Sequence, residues 1–546
     1  MMARKSLVQD LYAPEDLRRV TTEDARREGT AAEGGGPPVE GPVALLAFHG
    51  MGQQVRYGTI EETIAIVNAA AERRGCRVAL KGRRQLAFPQ DRFVGCAELL
   101  IESDSRRVEV HVYEAYWAPL AEGRISTWET FWFLLTAAWD CSRNGTKFTR
   151  FLFAKENPPR GEDKEVPPTT IAGLLLTVLT LAAIGILDLV IVAVGIAGVM
   201  VAGQPRWFPD LKPGLVADYA GAFLLLLVSW ALCIKLPQRL APFRERDGAR
   251  RLQHGYAVIA DVVLRLTALA LCFIAFDIAS QCVFAAAGAT PRPLVSSLVA
   301  WIPFLEWFQQ SRGGLLLIGA LFFLGSSVVR WFIRKYVGDV AIYVSSHKAN
   351  RFYETRQAIQ KAAYEVAHFI FDRKGAGDAP LYRQVVFMGH SLGSVIAYDT
   401  LNRLFLEDTE SGGGRNARAR TRGLITYGSP LDKIAFVFRT QRRKDGSLRE
   451  AMVAALQPLI QDLSARRFPW VNVYSSFDWI GGELDFYDPD PAGPGPFPEF
   501  SIANRRDDHA LTPVAAHGEH GKGPLLQGVV LDALLGDLKP ERALAP

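Results

Sequence analysis

Arg383-Gln384-Val385-Val386-Phe387-Met388-Gly389-His390-Ser391-Leu392-Gly393-Ser394-Val395-Ile396-Ala397-Tyr398 is an apolar run that breaks at Gly-His-Ser-Leu-Gly and resumes with helical spacing. Its first half is rich in β-branched and apolar residues, as in a buried strand. Its second half places Val395, Ile396 and Leu401 on one face of a helix. Between them Ser391 falls at the tip of a sharp strand-to-helix turn, where crowded backbone demands glycine on both sides and leaves the hydroxyl exposed. The free N–H groups at the start of the following helix favour negative charge beside it. In a chain with 48 glycines the five-residue pattern alone is weak. The strand before it and the helix after it carry the reading.

Val43 to Phe48 is a second compact strand, and it ends in His49-Gly50-Met51-Gly52. Glycine there lets backbone N–H groups approach a ligand, so the Gly50-Met51 turn can offer one donor to an oxyanion and Leu392, after the serine, the other. His49 braces this loop. A serine at neutral pH is a poor nucleophile and needs a base, which needs an orienting acid. Asp478 follows the strand Trp470 to Ser475, and Asp432 follows the preceding strand, Leu424 to Tyr427; Asp478 is preferred and Asp432 is the alternative. For the base, His517 lies on a polar loop just before the last helix, from Pro524 to Leu535. His520 is close enough to replace it, and His509 is less well placed. Asp485, Asp488 and Asp490 read as solvated residues of a Pro/Gly-rich loop.

Around these motifs the pattern is α/β. Ile60 to Ala71 has helical spacing, Phe93 to Ile101 and Val108 to Ala115 alternate as strands, and Asn350 to Asp372 is an amphipathic helix leading into the Ser391 strand. Residues 1–41 are charged and then rich in Ala, Glu, Gly and Pro, a disordered lead-in with no signal-peptide core. Residues 42–120 and 336–546 carry the two parts of the α/β domain. Residues 121–168 are aromatic-rich, either an interfacial helix or a cap over the site.

The 546 residues have a net charge of +5 and a mean hydropathy of +0.08. Apolar character is concentrated in residues 169–335. Ile171 to Gly203, Gly214 to Leu236, Leu266 to Ala287 and Gly313 to Val329 are each long enough to span a hydrocarbon core of about 30 Å. Leu294 to Phe308, interrupted by Pro303 and Glu306, reads as interfacial or re-entrant. If the strands before His49 and Ser391 share one sheet, the number of crossings between them is even, which favours four. Arg and Lys cluster in the flanks and in the loop Arg239 to Arg251, so the positive-inside rule places the α/β parts in the cytoplasm. Asp188 and Asp277 within the spans are either functional or held protonated or hydrogen-bonded. Scattered basic residues without interleaved aromatics point away from nucleic acid. Six cysteines without Cys-x-x-Cys spacing suggest neither zinc nor a disulfide framework, and no metal or cofactor is expected.

The His49-Gly50-Met51-Gly52 turn, the Gly389-His390-Ser391-Leu392-Gly393-Ser394 elbow and the order Ser391, Asp478, His517 resemble the α/β-hydrolase superfamily of lipase and esterase type. The resemblance covers residues 43 to about 117 and 345 to 540. The elbow is also similar to that of DDHD-type intracellular phospholipases, as is Asp507-Asp508-His509. This likeness implies an α/β-hydrolase sheet, and the apolar runs split it with an inserted all-α bundle of about four transmembrane helices, a departure from the usual soluble fold. Together they point to a multi-pass membrane serine hydrolase that cleaves an apolar ester, a lipid above all, through an acyl-enzyme, with the bilayer as its partner. Two other readings stand beside it. One is an inactive hydrolase-like domain on a membrane transport or scaffold protein; the other is a thioesterase or peptidase acting on a soluble substrate.

Overall fold

The apolar runs that end at His49 and Ser391 become neighbouring parallel strands, with Phe48 opposite Gly389. The computed structural model describes residues 18–20, 39–52, 54–88, 92–126, 350–434, 468–484, 501–512 and 515–538, with a helical stretch at 255–263 and isolated positions between 129 and 343. The strands, in chain order, are β1 (Arg18–Val20), β2 (Val39–Phe48), β3 (Arg77–Phe88), β4 (Arg92–Glu102), β5 (Arg107–Ala115), β6 (Gln384–His390), β7 (Thr421–Tyr427), β8 (Trp470–Tyr474) and β9 (Ile502–Arg506). Among the described residues they form one nine-stranded mixed sheet in the order β1-β3-β4-β5-β2-β6-β7-β8-β9. From β5 to β9 the neighbours are parallel, whereas β4 runs antiparallel to both β3 and β5.

Parallel strands buried on both faces need apolar residues at every position, and the central ones have them. Ala44, Leu46 and Phe48 point into one core with Val385 and Phe387, while Val43, Leu45 and Ala47 point into the other with Val386 and Met388. Helices α3 (Asn350–Asp372) and α4 (Leu392–Glu410) supply Ile359, Ala363, Ile370, Val395 and Ile396 to the first layer. Helices α1 (Gly58–Arg73) and α6 (Pro524–Leu535) supply Ile60, Ile64, Val67, Leu526 and Val530 to the second. Each fully buried side chain of this kind contributes about 1.5–3 kcal/mol, so this alternation fixes the strand register. Two short helices, α2 (Ala118–Ala121) and α5 (Ala417–Arg420), complete the set.

Local chemistry sets the helix ends. The N–H of Tyr57, just before α1, donates to the Glu114 carboxyl group at 2.6 Å, which gives the start of that helix a buried acceptor whose pKa burial raises to about 7. α6 begins on Pro524, whose missing N–H costs nothing there, and stops at Gly536 in the left-handed region at φ 86.

After β2 the chain jumps outward to β3, builds back through β4 to β5 beside β2, then crosses to the other side of β2 as β6. This reversal leaves a crevice beyond the carboxyl ends of β2 and β6, the place where open α/β sheets bind ligands. His49-Gly50 leaves β2 there, and Ser391 leaves β6.

Three features depart from the sequence reading. Arg18–Val20, inside the expected lead-in, is an edge strand parallel to β3, and β2 begins at Val39, within residues 1–41. β3 was not foreseen, because Arg77, Lys81, Arg83 and Arg84 hide any apolar period. β9 likewise lacks a strand-like pattern. Apart from isolated positions in the third, the four expected spans and most of residues 121–168 lie outside the described residues, and among the described residues no helix is long and apolar enough to cross a membrane. Within that block Asp277 is buried and Leu266 exposed, and Asp188 lies outside.

Candidate active site

Ser391 has φ 52 and ψ −128, a conformation that side chains rarely adopt, held between a strand and a helix. Its N–H donates to Tyr427 O at 3.0 Å, which ties the turn to β7. The side chain is fully buried, and Oγ makes no hydrogen bond to any protein atom. The two flanking glycines answer to different neighbours. A Cβ on Gly389 would meet Ser394 Cα at 2.5 Å, in the helix the turn itself starts; one on Gly393 would meet the carbonyls of Phe48 and His49 at 2.4 Å, in the adjacent strand. Ser394 pins the turn from below, its Oγ lying 2.6 Å from Ser429 Oγ and donating to Ser391 O.

The Gly50 loop reaches the elbow directly. A Cβ on Gly50 would lie 3.0 Å from Ser391 Cβ and 2.9 Å from His390 Nδ1. The next residue, Met51, is buried, and Leu392 opens α4, whose first N–H groups have no intrahelical acceptor. His49 fixes the loop. Trp117 N–H donates to its Nε2 at 3.2 Å, so Nδ1 carries the proton and donates to Gly50 O at 2.9 Å. Its ring stacks on Trp117 at 4.6 Å, and burial lowers its pKa to about 4. A neutral imidazole with both nitrogens engaged is a brace.

Asp478 follows β8, and its carboxylate lies 3.0 Å from His517 Nδ1. Asp478 Oδ1 also accepts the N–H groups of Ile480 and Gly481 at 2.8 and 2.9 Å, which fixes the acid on its own turn. Asp432 is buried after β7, but Asp478 is the carboxylate within hydrogen-bond distance of His517. His517 sits at Gly428, the residue after β7: a Cβ there would lie 3.0 Å from its Nδ1. Its ring faces His390 at 4.9 Å between centroids. His390 Nε2–H donates to His517 O at 2.9 Å, and burial, with the neighbouring His517, lowers the pKa of His390 to about 3. The residue between Gly389 and Ser391, unassigned in the sequence reading, therefore holds the backbone of the base.

His520 is not interchangeable with His517. It lies behind the acid, fully buried, with Nε2 3.3 Å from Asp478 Oδ2 and Nδ1 3.2 Å from Asp507 Oδ2. His509 is beside Asp507, whose Oδ1 accepts its N–H at 2.9 Å. Burial opposes charge on His520, but the two carboxylates outweigh it and lift its pKa to about 9. Burial would also raise Asp478, yet His517 and His520 hold it well below the usual carboxylate range. Because the folded pKa of His520 lies above its unfolded value near 6.5, its stabilisation is complete below pH 6.5 and disappears as pH rises through about 9. Thermal unfolding at pH 6 and pH 10 is therefore expected to show a larger loss of stability in wild type than in His520→Gln, on the order of 3 kcal/mol. Parallel losses in the two proteins would show that His520 is uncharged.

Part of the segment between the two halves touches this end of the sheet. Ala257 packs with Phe477, Ala510 and Ala516, and Trp479 Nε1–H donates to Asp261 at 3.2 Å. Phe477 and Trp479 flank the acid. The other side of that helical stretch exposes Val258, Ile259 and Val262.

Away from this site, Cys96, Glu98 and His111 bring possible metal ligands within 4.8 Å of one another. Protein groups already engage them. His111 has Nδ1 2.7 Å from the Tyr382 hydroxyl and Nε2 2.8 Å from Glu109, and Glu98 pairs with Arg84 at 2.8 Å. Burial pushes the Cys96 thiol up to about 12, so the group is a hydrogen-bonded network in the sheet.

Comparison of the chain with protein-family models, curated proteins and solved structures found no match.

Proposed function

We propose that the chain is a serine hydrolase of the α/β-hydrolase kind, cleaving carboxylic esters with an apolar acyl group. The observation that carries the reading is the strained turn at Ser391, with the Gly50 loop against it and, facing the preceding residue His390, the His517 imidazole already oriented by a buried carboxylate. With Nδ1 directed to Asp478, His517 presents Nε2 as the base. Ser391 Oγ attacks the ester carbonyl as His517 takes its proton, and the N–H groups of Met51 and Leu392 receive the oxyanion. Collapse expels the alcohol, which leaves with the proton from His517. Water activated by the same imidazole then releases the acid and frees Ser391. Ser391 Oγ makes no hydrogen bond before substrate arrives, and such bonds commonly tighten only in the complex.

The preference for a lipid rests on the apolar block between the two halves and on the exposed apolar residues of 255–263 beside the acid loop. A bilayer held there by four crossings delivers acyl chains to the carboxyl end of the sheet, on the cytoplasmic side. The test is labelling of the purified full-length chain with a fluorophosphonate. One adduct is expected, on the peptide containing Ser391. An unlabelled folded protein, or an adduct elsewhere, would sink the hydrolase reading. Hydrolysis rates that stay equal when a dispersed ester is replaced by vesicles of the same acyl chain would favour a soluble substrate instead.

A further inference from the structure

The triad leaves two polar groups unexplained, His520, fully buried, and Asp507, fully buried in side chain, together with the hydrogen bonds that join them to Asp478. Polar groups in a dry interior are costly unless each is satisfied. Both nitrogens of His520 face carboxylate oxygens, at 3.2 and 3.3 Å. A neutral imidazole has one N–H and would turn a lone pair toward one of those carboxylates, so the geometry calls for a proton on each nitrogen. Asp507 is anchored in turn, since its own N–H donates to Tyr474 O at 2.7 Å and its Oδ1 accepts from His509 N–H.

We infer that His520 and Asp507 are positioning residues for the base: an imidazolium bridging Asp478 and Asp507 that holds the acid in place behind His517 and offsets its charge there. This rests on the hydrolase reading of the same site. Asp478 must both orient His517 and stabilise the imidazolium formed during attack. The positive charge on the far side of Asp478 weakens the field of that carboxylate at His517. Among the described residues the other groups around His520 offer no equivalent cation at the acid. His390 is held neutral, Glu62 on α1 lies against Gly521 with its pKa raised by burial, and Lys522 interacts with Glu62. His509 lies 3.8 Å from Asp507 and part-exposed.

The experiment follows the pH dependence of fluorophosphonate labelling in wild type and His520→Gln, with the imidazole signals of isotopically labelled histidine recorded on the same full-length samples. In His520→Gln the acid limb of the labelling rate is expected to move to higher pH, on the order of one unit for loss of a neighbouring positive charge, while the rate at the alkaline plateau stays within tenfold. A lower plateau with an unmoved midpoint would reduce His520 to a packing role and overturn the inference. In wild type an imidazolium signal should persist at pH 8 and titrate near 9; its absence would overturn the inference without any variant. If wild type does not label at all, the hydrolase reading fails, and the resonances still report whether His520 is an imidazolium.

Discussion

Ser391→Ala is expected to abolish hydrolysis and yet leave a protein at least as stable as wild type. The kinetic half follows from covalent chemistry: without Oγ no acyl-enzyme forms, and loss of a triad nucleophile lowers kcat on the order of a million-fold. The stability half follows from burial. Ser391 Oγ is enclosed without a hydrogen-bond partner, a state that costs about 1–3 kcal/mol. Alanine removes the hydroxyl and keeps the Cβ contacts, so Tm should hold or rise by a few degrees. The φ of 52 remains strained for alanine, and Ser391→Gly should relieve that strain as well. A stable, inactive pair of variants is the mark of a residue placed for chemistry at the expense of folding. The measurement is ester hydrolysis beside thermal unfolding in the same detergent. A Tm for Ser391→Ala clearly below wild type would mean that the hydroxyl is structural.

The elbow and its flanking strands were legible because three local signals agreed: β-branched residues before the break, glycines around it, and helical spacing after it. Asn350–Asp372 was legible for the same reason, its apolar spacing matching one helix face. β3 was not. Its strongly basic sequence is held extended by ladders on both sides, from β1 and β4, and pairing of that kind leaves no trace in the strand's own composition. At the site, chain order distinguished Ser391 from other serines but could not separate His517 from His520. Both stand on adjoining short 3-10 turns before α6, and only the path of those turns puts one in front of Asp478 and the other behind it. Asp507 carried a faint signal in Asp507-Asp508-His509, yet its partner is His520, and no spacing rule connects the two. His390 was invisible for the opposite reason. It occupies the variable place of the elbow motif, and its hydrogen bond to His517 O depends on a loop remote in sequence.

Gly393→Ala is expected to damage folding and activity together, through a contact that involves no catalytic atom. The added methyl would lie 2.4 Å from two carbonyl oxygens of β2 and the loop after it, and 2.7 Å from Phe48 C. All three are backbone atoms, two of them in Phe48 at the end of a strand paired on both sides, so no side chain can swing away to make room. Relief requires α4 to move off β2, at a cost of about 3 kcal/mol or more. That movement also separates the two oxyanion donors, because Leu392 starts the helix that shifts while Met51 follows the strand left behind. Misplacing one donor alone lowers kcat by about 100- to 1,000-fold. Gly414→Ala provides the control: its added methyl meets nothing within 4 Å, and both stability and rate should stay near wild type. If Gly393→Ala instead retains wild-type Tm and turnover, the close approach of elbow helix to oxyanion strand is wrong, and with it the placement of both donors. Under the proposed function Gly393, two residues after Ser391, thus couples the sheet's register to the chemistry, since its close approach to Phe48 and His49 fixes how the elbow helix sits against the strand that carries the Gly50 loop.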